Sequence, residues 1–97
     1  VSRAAGINLT KSLANEYAAD RIRVNTICIG LVKSAQLARR ATGDMDAHWR
    51  ELAKRIPLGR IAEAEEFADL VAFLVSERAG YITGTAINFD GGLGSTV

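Results

Sequence analysis

The chain has 97 residues, of which 48% are hydrophobic and 24% are charged, and its formal net charge is +1. This length suits one domain or part of one, and the apolar fraction excludes a disordered chain. The small net charge, with both signs mixed along the sequence, predicts neither a nucleic-acid partner nor binding to an anionic membrane. The longest fully apolar run, residues 70–75, is far shorter than the ~20 residues of a membrane span.

The single cysteine and the first residues bear on the setting of the protein. Cys28 excludes an internal disulfide and is typical of a reducing compartment, so we expect a cytoplasmic protein in which Cys28 is a small buried hydrophobe. No basic segment followed by an apolar one opens the sequence, so no export signal is visible. Because the chain starts at Val1 and enters a helix almost at once, we expect it to be a piece of a longer protein.

The first predicted element is a helix over residues 4–19. Two apolar stripes run along this helix, one formed by Ala5, Leu9, Leu13 and Tyr17 and the other by Ile7, Ala14 and Ala18. A helix with two apolar faces needs cover on both sides. We therefore expect its own sheet on one side and something else, such as a partner subunit, on the other.

A short buried strand is predicted next, beginning at Ile22. The residues Val24, Ile27 and Ile29 are β-branched, and the run ends at Gly30. Helical patterns precede and follow it, so the strand should lie parallel to its neighbours in an α/β sheet. In such sheets ligands bind beyond the carboxyl end of a strand, which here is the loop at residues 30–34.

Residues 35–56 are predicted to form two helical pieces separated by a break at Thr42-Gly43-Asp44. The first is a short polar helix over residues 35–41. The second carries one apolar face that ends before Pro57 and consists of Met45, Trp49, Leu52 and Ile56. A helical pair interrupted by glycine, directly after a loop on the ligand side, is typical of a mobile lid. An ordinary helical cover over the edge of the sheet remains the alternative.

A third helix and a second strand are predicted after a turn at residues 57–60. Three glutamates, Glu63, Glu65 and Glu66, lie at the predicted start of this helix. Negative charge is favourable there because it interacts with the positive end of the helix dipole. Its buried stripe consists of Phe67, Leu70, Val71 and Leu74. The strand covers residues 85–90 and lies between Gly84 and Gly91-Gly92, the latter pair being a turn and not a phosphate cradle.

The residues by themselves offer little catalytic chemistry. His48 is the sole histidine and has no cysteine near it in sequence, so no metal site is expected. The serines lack the context of a nucleophile elbow, which argues against a hydrolase. No G-x-G-x-x-G or Walker-type loop occurs.

Six blocks of sequence nevertheless resemble a known family. They are residues 3–14 (RAAGINLTKSLA), 22–25 (IRVN), 30–32 (GLV), 57–60 (PLGR), 65–68 (EEFA) and 81–92 (YITGTAINFDGG). In this order and spacing they resemble the C-terminal part of the short-chain dehydrogenase/reductase family. The resemblance implies an α/β fold, a Rossmann-type doubly wound parallel sheet, of which residues 1–97 are the C-terminal part of one domain. The N-terminal cofactor-binding half would be absent, and residues 35–56 would be the substrate lid.

The resemblance also implies an activity and an assembly. Members of this family transfer a hydride between NAD or NADP and an alcohol or ketone, and they are usually homodimers or homotetramers. The family's catalytic tyrosine and glycine-rich loop would precede Val1, so we expect the 97 residues alone to show no turnover. Asn25 and Asp90 would be mainly structural.

Arg3 occupies the position of the family's catalytic lysine, at the end of a Tyr-x-x-x-Lys motif. A nearby cation lowers the pKa of a tyrosine from about 10, so that it can act as a base near neutral pH. Arg3 keeps the charge, but in a planar fork in place of an ammonium. Two interpretations stay open: a working or weakened oxidoreductase, and a catalytically silent member that binds a ligand or a partner protein.

The resemblance assigns Gly30, Val32 and Ser34 to the cofactor. Gly30 would let the backbone approach the nicotinamide, although the proline that usually precedes it in the family is Ile29 here. The backbone of Val32 would bind the carboxamide, and the hydroxyl of Ser34 would reach the carboxamide or a phosphate. Gln36 and Trp49 would line the substrate lid. A helical interaction module, binding a partner protein through its apolar helix faces, is a further alternative.

Overall fold

The computed structural model describes residues 3–33 and 45–94. Its helices and strands are α1 (Arg3–Tyr17), β1 (Thr26–Ile29), α2 (Met45–Ala53), α3 (Ala64–Leu74) and β2 (Ala86–Phe89). Short 3-10 helices at Ala18–Asp20 and Glu77–Ala79 follow α1 and α3. The helix predicted over residues 35–41 lies outside the described residues.

The two strands pair in parallel, as the sequence predicted. Thr26 lies opposite Ala86, and Ile29 lies opposite Phe89. The strand β1 begins at Thr26 and not at Ile22, because the residues before it bond to the loop that precedes β2 instead of to a strand. The carbonyl of Val24, for example, accepts from the backbone N–H of Gly84 at 2.8 Å.

Helices α1 and α3 lie against opposite faces of this sheet. On one face, the hydroxyl groups of Thr10 in α1 and Thr26 in β1 form a hydrogen bond. On the other, the rings of Phe67 in α3 and Phe89 in β2 meet edge to face, with centroids 5.6 Å apart. Side chains alternate between the faces of a strand, and Thr26 and Phe89 occupy opposite faces. A parallel sheet covered on both faces is the arrangement of a doubly wound α/β fold, which confirms the predicted fold class.

The buried side chains are mostly small or aliphatic. Those with the least exposure among the described residues are Thr10, Ala14, Ile56, Ile61, Leu74 and Ala79. Helix α1 therefore turns the Ala14 stripe toward the sheet, whereas Leu9 and Tyr17 of the other stripe are 58% and 39% exposed. Cys28 is half-buried, not buried as predicted, because β1 pairs along one edge only in the described part of the chain.

Two polar side chains join the start of β1 to distant loops. The guanidinium of Arg23 donates to the carbonyl of Leu74 at 2.8 Å and, with its other terminal nitrogen, to that of Ser76 at 3.3 Å. The amide of Asn25 accepts from the backbone N–H of Thr85 at 3.1 Å and donates to the carbonyl of Ile82 at 3.1 Å. These contacts hold the end of α3 and the approach to β2 beside β1.

Candidate functional site

The candidate site lies where β1 and β2 end. The backbone N–H of Gly30 donates to the carbonyl of Phe89 at 2.9 Å, so the chain leaves β1 alongside the turn that begins at Asp90. A Cβ added to Gly30 would lie 2.7 Å from the Cβ of Asp90 and 3.0 Å from its Cα. A glycine is therefore needed here because the two strand ends approach so closely, a reason that the sequence did not reveal.

Past Gly30, the loop is held by a single residue of a distant segment. The backbone N–H of Lys33 donates to the carbonyl of Ala62 at 2.9 Å, and the N–H of Ala62 donates to the carbonyl of Leu31 at 3.4 Å. In this parallel bridge, Val32 is the residue opposite Ala62. Its own N–H and C=O consequently point away from Ala62, and neither has a hydrogen-bond partner among residues 3–33 and 45–94.

The turn after β2 closes the other side of the site. Both carboxylate oxygens of Asp90 accept backbone N–H groups, from Gly92 at 3.0 Å and from Gly94 at 3.1 Å. Gly91 and Gly92 have φ values of 61° and 90°, a conformation that favours glycine, so the predicted turn is confirmed. The side chain of Asp90 thus stabilises the turn that follows it.

An ion pair lies beside this loop. The two terminal nitrogens of Arg60 donate to the two carboxylate oxygens of Glu66 at 2.6 and 2.7 Å. These bonds, together with one from the backbone N–H of Glu63, lower the pKa of Glu66 from 4.5 to about 2. The same carboxylate raises the pKa of Arg60. Glu66 therefore stays ionised throughout the physiological range.

A small cavity opens between the loop and the Asp90 turn. Its volume is about 80 Å³, and Leu31, Phe89, Asp90, Arg60 and Glu66 contribute to its walls. Sites that hold drug-sized ligands measure roughly 300–1,000 Å³. The described residues therefore do not enclose a ligand of that size at this cavity.

Arg3, the candidate catalytic residue, reaches β2. It is the first residue of α1, and its guanidinium donates to the side-chain carbonyl of Asn88. Asn88 pairs with Cys28, two residues before Gly30, so Arg3 lies at the same end of the sheet as the loop. Sequence reasoning missed Asn88; its signal was a lone amide side chain inside an otherwise apolar strand.

Trp49, a candidate substrate residue, lies on α2 next to the loop. The ammonium nitrogen of Lys33 is 6.0 Å from the centroid of its ring, and the ring of His48 is 5.4 Å away. The structure thus brings Trp49 to the end of the loop that contains Gly30 and Val32. The other two candidates, Ser34 and Gln36, lie outside the described residues, as do residues 35–44 of the predicted lid.

Neither a metal-binding cluster nor a membrane-spanning helix is present in the part of the chain that the structure describes. No group of three or more histidine, cysteine or carboxylate side chains is arranged to hold a metal ion there. None of the helices in that part is both long enough and apolar enough to cross a bilayer.

Comparison with known proteins gives the family. The model of a family described as enoyl-(acyl carrier protein) reductase matches residues 1–94. The oxidoreductase UcpA of Salmonella typhimurium is 46% identical over 96 residues, which are 95% of this chain and 36% of UcpA. The 2-keto-3-deoxy-L-fuconate dehydrogenase of Xanthomonas campestris is 38% identical over 95 residues, covering 95% of this chain and 32% of the relative.

A solved structure matches the fold as well as the sequence. It is an NADPH-bound short-chain oxidoreductase from Pseudomonas aeruginosa PAO1 with an atypical catalytic centre. The TM-score is 0.88 and the identity 41%, over 98% of this chain and 38% of that one. The chain spans about a third of the length of these relatives. The family model covers all six sequence blocks, and the solved relative shares the fold. The chain therefore belongs to the short-chain dehydrogenase/reductase family.

Proposed function

We propose that this chain forms the nicotinamide-binding side of an NAD(P)-dependent oxidoreductase. The observation that carries the proposal is the backbone of Val32, whose N–H and C=O turn away from Ala62 at the carboxyl end of β1. Ligands of parallel α/β sheets bind at this edge. A carboxamide has one acceptor and one donor group, and so has the backbone of a single residue. The NADPH bound by the solved relative supports the choice of cofactor.

The reaction that we propose is hydride transfer between the nicotinamide and a small-molecule alcohol or ketone. The bound nicotinamide gives up or accepts the hydride. The residues of this chain hold the ring: Val32 through its backbone and Ser34 through its hydroxyl, with Gly30 keeping the loop close to β2. We propose residues 35–56 as the lid over the substrate and Gln36 and Trp49 as residues that line it.

Arg3 is proposed to supply the positive charge that lowers the pKa of a catalytic tyrosine. A guanidinium keeps its charge at any physiological pH, and Asn88 accepts one of its hydrogen bonds and so fixes its direction. The 97 residues alone are proposed to be inactive, because they contain neither this tyrosine with its x-x-x spacing nor a glycine-rich phosphate loop.

The assembly is proposed to be a homodimer or homotetramer acting in the cytoplasm. Leu9 is 58% exposed on the side of α1 that faces away from the sheet, and Ala5 of the same stripe is exposed as well. Burying such a stripe against a second copy would remove apolar surface from water. A free thiol at Cys28 is compatible with a reducing compartment.

The test of the cofactor site uses two variants of Val32 in the complete oxidoreductase that carries these residues. Val32→Pro removes the N–H that faces the cofactor and leaves both bonds of the loop to Ala62. We expect it to weaken NADPH binding about ten-fold or more, since a buried group then lacks its partner. Val32→Ala, which keeps the backbone, is the control and should bind within about three-fold of the wild type. Equal NADPH affinities for the two variants, measured by titration calorimetry, would overturn the proposed site.

A second candidate function is a silent family member that binds a ligand without turnover. This function is favoured by Arg3, which replaces the family's lysine and donates a hydrogen bond to Asn88. Turnover of the wild type distinguishes the two, and variants of Arg3 test its role. If the protein is an oxidoreductase, Arg3→Met lowers kcat by about 100-fold or more and Arg3→Lys retains activity. If it is silent, the wild type shows no turnover and NADPH still binds.

A further inference from the structure

Four charged residues, two cations and two carboxylates, are linked by hydrogen bonds beside the loop. The ammonium of Lys33 is 2.7 Å from a carboxylate oxygen of Glu63. The backbone N–H of Glu63 donates to Glu66 at 3.0 Å, and Glu66 is in turn held by both terminal nitrogens of Arg60. We refer to Lys33, Glu63, Glu66 and Arg60 as the charge clamp. Its two cations and two carboxylates balance, so it attracts no counter-ion by net charge.

Two members of the charge clamp, Arg60 and Glu63, are the ends of a segment, residues 60–63, that bonds to the loop through Ala62. Ala62 lies between Arg60 and Glu63, and it contacts the loop through one isolated bridge and not through a strand ladder. Of the two hydrogen bonds in that bridge, the one from Ala62 to Leu31 is 3.4 Å long and therefore weak. The position of residues 60–63 then depends on the burial of Ile61 and on the side-chain bonds at the two ends of this segment.

Each end of the segment is anchored to the first turn of α3. Glu63 is the N-cap residue of α3, and Glu66 is the third residue of that helix, so their bond belongs to a capping box. Arg60 reaches the same carboxylate from three residues before the cap. Residues 60–63 are thus closed into a short ring on the rigid end of a helix.

We propose that Arg60 and Glu66 are positioning residues for the nicotinamide loop. By fixing residues 60–63 on α3, they hold Ala62 where it bonds Leu31 and Lys33, and so they set the direction of the Val32 backbone. The inference rests on the proposed cofactor role of the loop. Neither side chain binds the cofactor: both terminal nitrogens of Arg60 are already used by Glu66, which leaves no fork for a phosphate.

The experiment compares three variants of the complete oxidoreductase. Arg60→Met removes both hydrogen bonds and keeps the length of the side chain, whereas Arg60→Lys restores one donor and the charge. Arg21→Met is the control, because it makes the same change of side chain at an exposed residue outside the loop and the lid. Amide hydrogen exchange without cofactor and the KM for NADPH are measured for each.

The expected result has two parts. In Arg60→Met, the amides of Lys33 and Ala62 exchange about ten-fold faster, while those of β2 are unchanged. The KM for NADPH rises by about five- to thirty-fold with little change in kcat, because only part of the population then presents the loop correctly. Arg60→Lys lies between Arg60→Met and the wild type, and Arg21→Met matches the wild type.

The outcomes that overturn the inference differ from those that overturn the proposed function. Unchanged exchange at Lys33 and Ala62 in Arg60→Met overturns the inference alone, whatever happens to NADPH binding. Faster exchange at these amides with an unchanged KM for NADPH overturns both, because a loosened loop would then be irrelevant to the cofactor. Faster exchange throughout β2 in Arg60→Met also overturns the inference, since Arg60 would then stabilise the whole domain and not the loop in particular.

Discussion

Gly30 is a residue at which the ends of the two strands leave no room for a side chain. The absent Cβ would overlap the Cβ and Cα of Asp90, and the latter is backbone that cannot move aside cheaply. The φ of Gly30 is not positive, so the requirement is for space and not for a left-handed conformation. The site therefore depends on this glycine even before a ligand is considered.

Gly30→Ala should destabilise the protein by about 1–3 kcal/mol, because the extra methyl group forces β1 and the Asp90 turn apart. Urea unfolding monitored by circular dichroism measures the change. Gly6→Ala is the matched control: nothing lies within 4 Å of a Cβ at that position in α1. It should stabilise by up to about 1 kcal/mol, since alanine is the better helix former. A neutral Gly30→Ala would contradict the role of close packing.

Glu66 is expected to make the stability of the protein depend on pH in the acid range. Its pKa is about 2 in the folded state against an ordinary value of 4.5, so the carboxylate stabilises the folded state fully at pH values above 4.5. That contribution is lost as the pH falls from 4.5 toward 2. In Glu66→Gln the group cannot ionise and this dependence is absent.

The measurement is the difference in Tm between the wild type and Glu66→Gln from pH 7 to pH 2. We expect the wild type to be more stable by a constant amount above about pH 5.5, with the difference shrinking toward pH 2. A difference in Tm that is independent of pH would show that Glu66 acts by packing and not by its charge.

At the scale of elements, side-chain hydrogen bonds hold both ends of α3. Its start carries Glu63 as the N-cap residue and Glu66 three residues later, which the acidic run in the sequence predicted in part. Its end is bonded by Arg23, more than fifty residues earlier in the chain. The last carbonyls of a helix lack partners within it, and a cation there suits the helix dipole.

Arg23→Met should destabilise the protein by about 1–3 kcal/mol, because the carbonyls of Leu74 and Ser76 lose charged hydrogen-bond donors. Thermal unfolding gives the magnitude, and hydrogen exchange should locate the loosening at the end of α3. Arg21→Met is the control, since Arg21 is exposed, and its Tm should stay close to that of the wild type. Equal effects of the two substitutions would exclude a specific role for Arg23.

At the scale of the molecule, the outer face of α1 is the surface that an assembly would cover. Thr10 and Ala14 are buried against the sheet, whereas Ala5 and Leu9 on the outer side are exposed in a single copy. An exposed apolar stripe on a helix that is already packed on its other face indicates an interface.

Leu9→Asp in the complete oxidoreductase should shift the assembly toward monomer, because a charge would replace a buried apolar side chain at the interface. Light scattering after size-exclusion chromatography measures the mass. Asn15→Asp places the same charge elsewhere on α1 and should leave the mass unchanged. Should both variants retain the wild-type mass, the outer face of α1 would not be the interface.

The sequence by itself determined the helices α1 and α3, the parallel strand that ends at Gly30, and the turn at Gly91-Gly92. These follow from local patterns: the spacing of apolar residues, the acidic helix start and the glycines. The six blocks also determined the family, because their residues, order and spacing can be recognised without knowledge of the tertiary contacts.

Only the tertiary structure decided which stripe of α1 meets the sheet, why Gly30 must be glycine, and what Arg3, Arg23 and Arg60 bond. Periodicity marks both stripes of α1 equally, and the burial of Ala14 against the exposure of Leu9 decides between them. The partners of Arg3 and Arg23 lie 85 and 51 residues away in the chain. A hydrogen bond between such distant residues depends on how the sheet brings them together, and no local pattern encodes that distance.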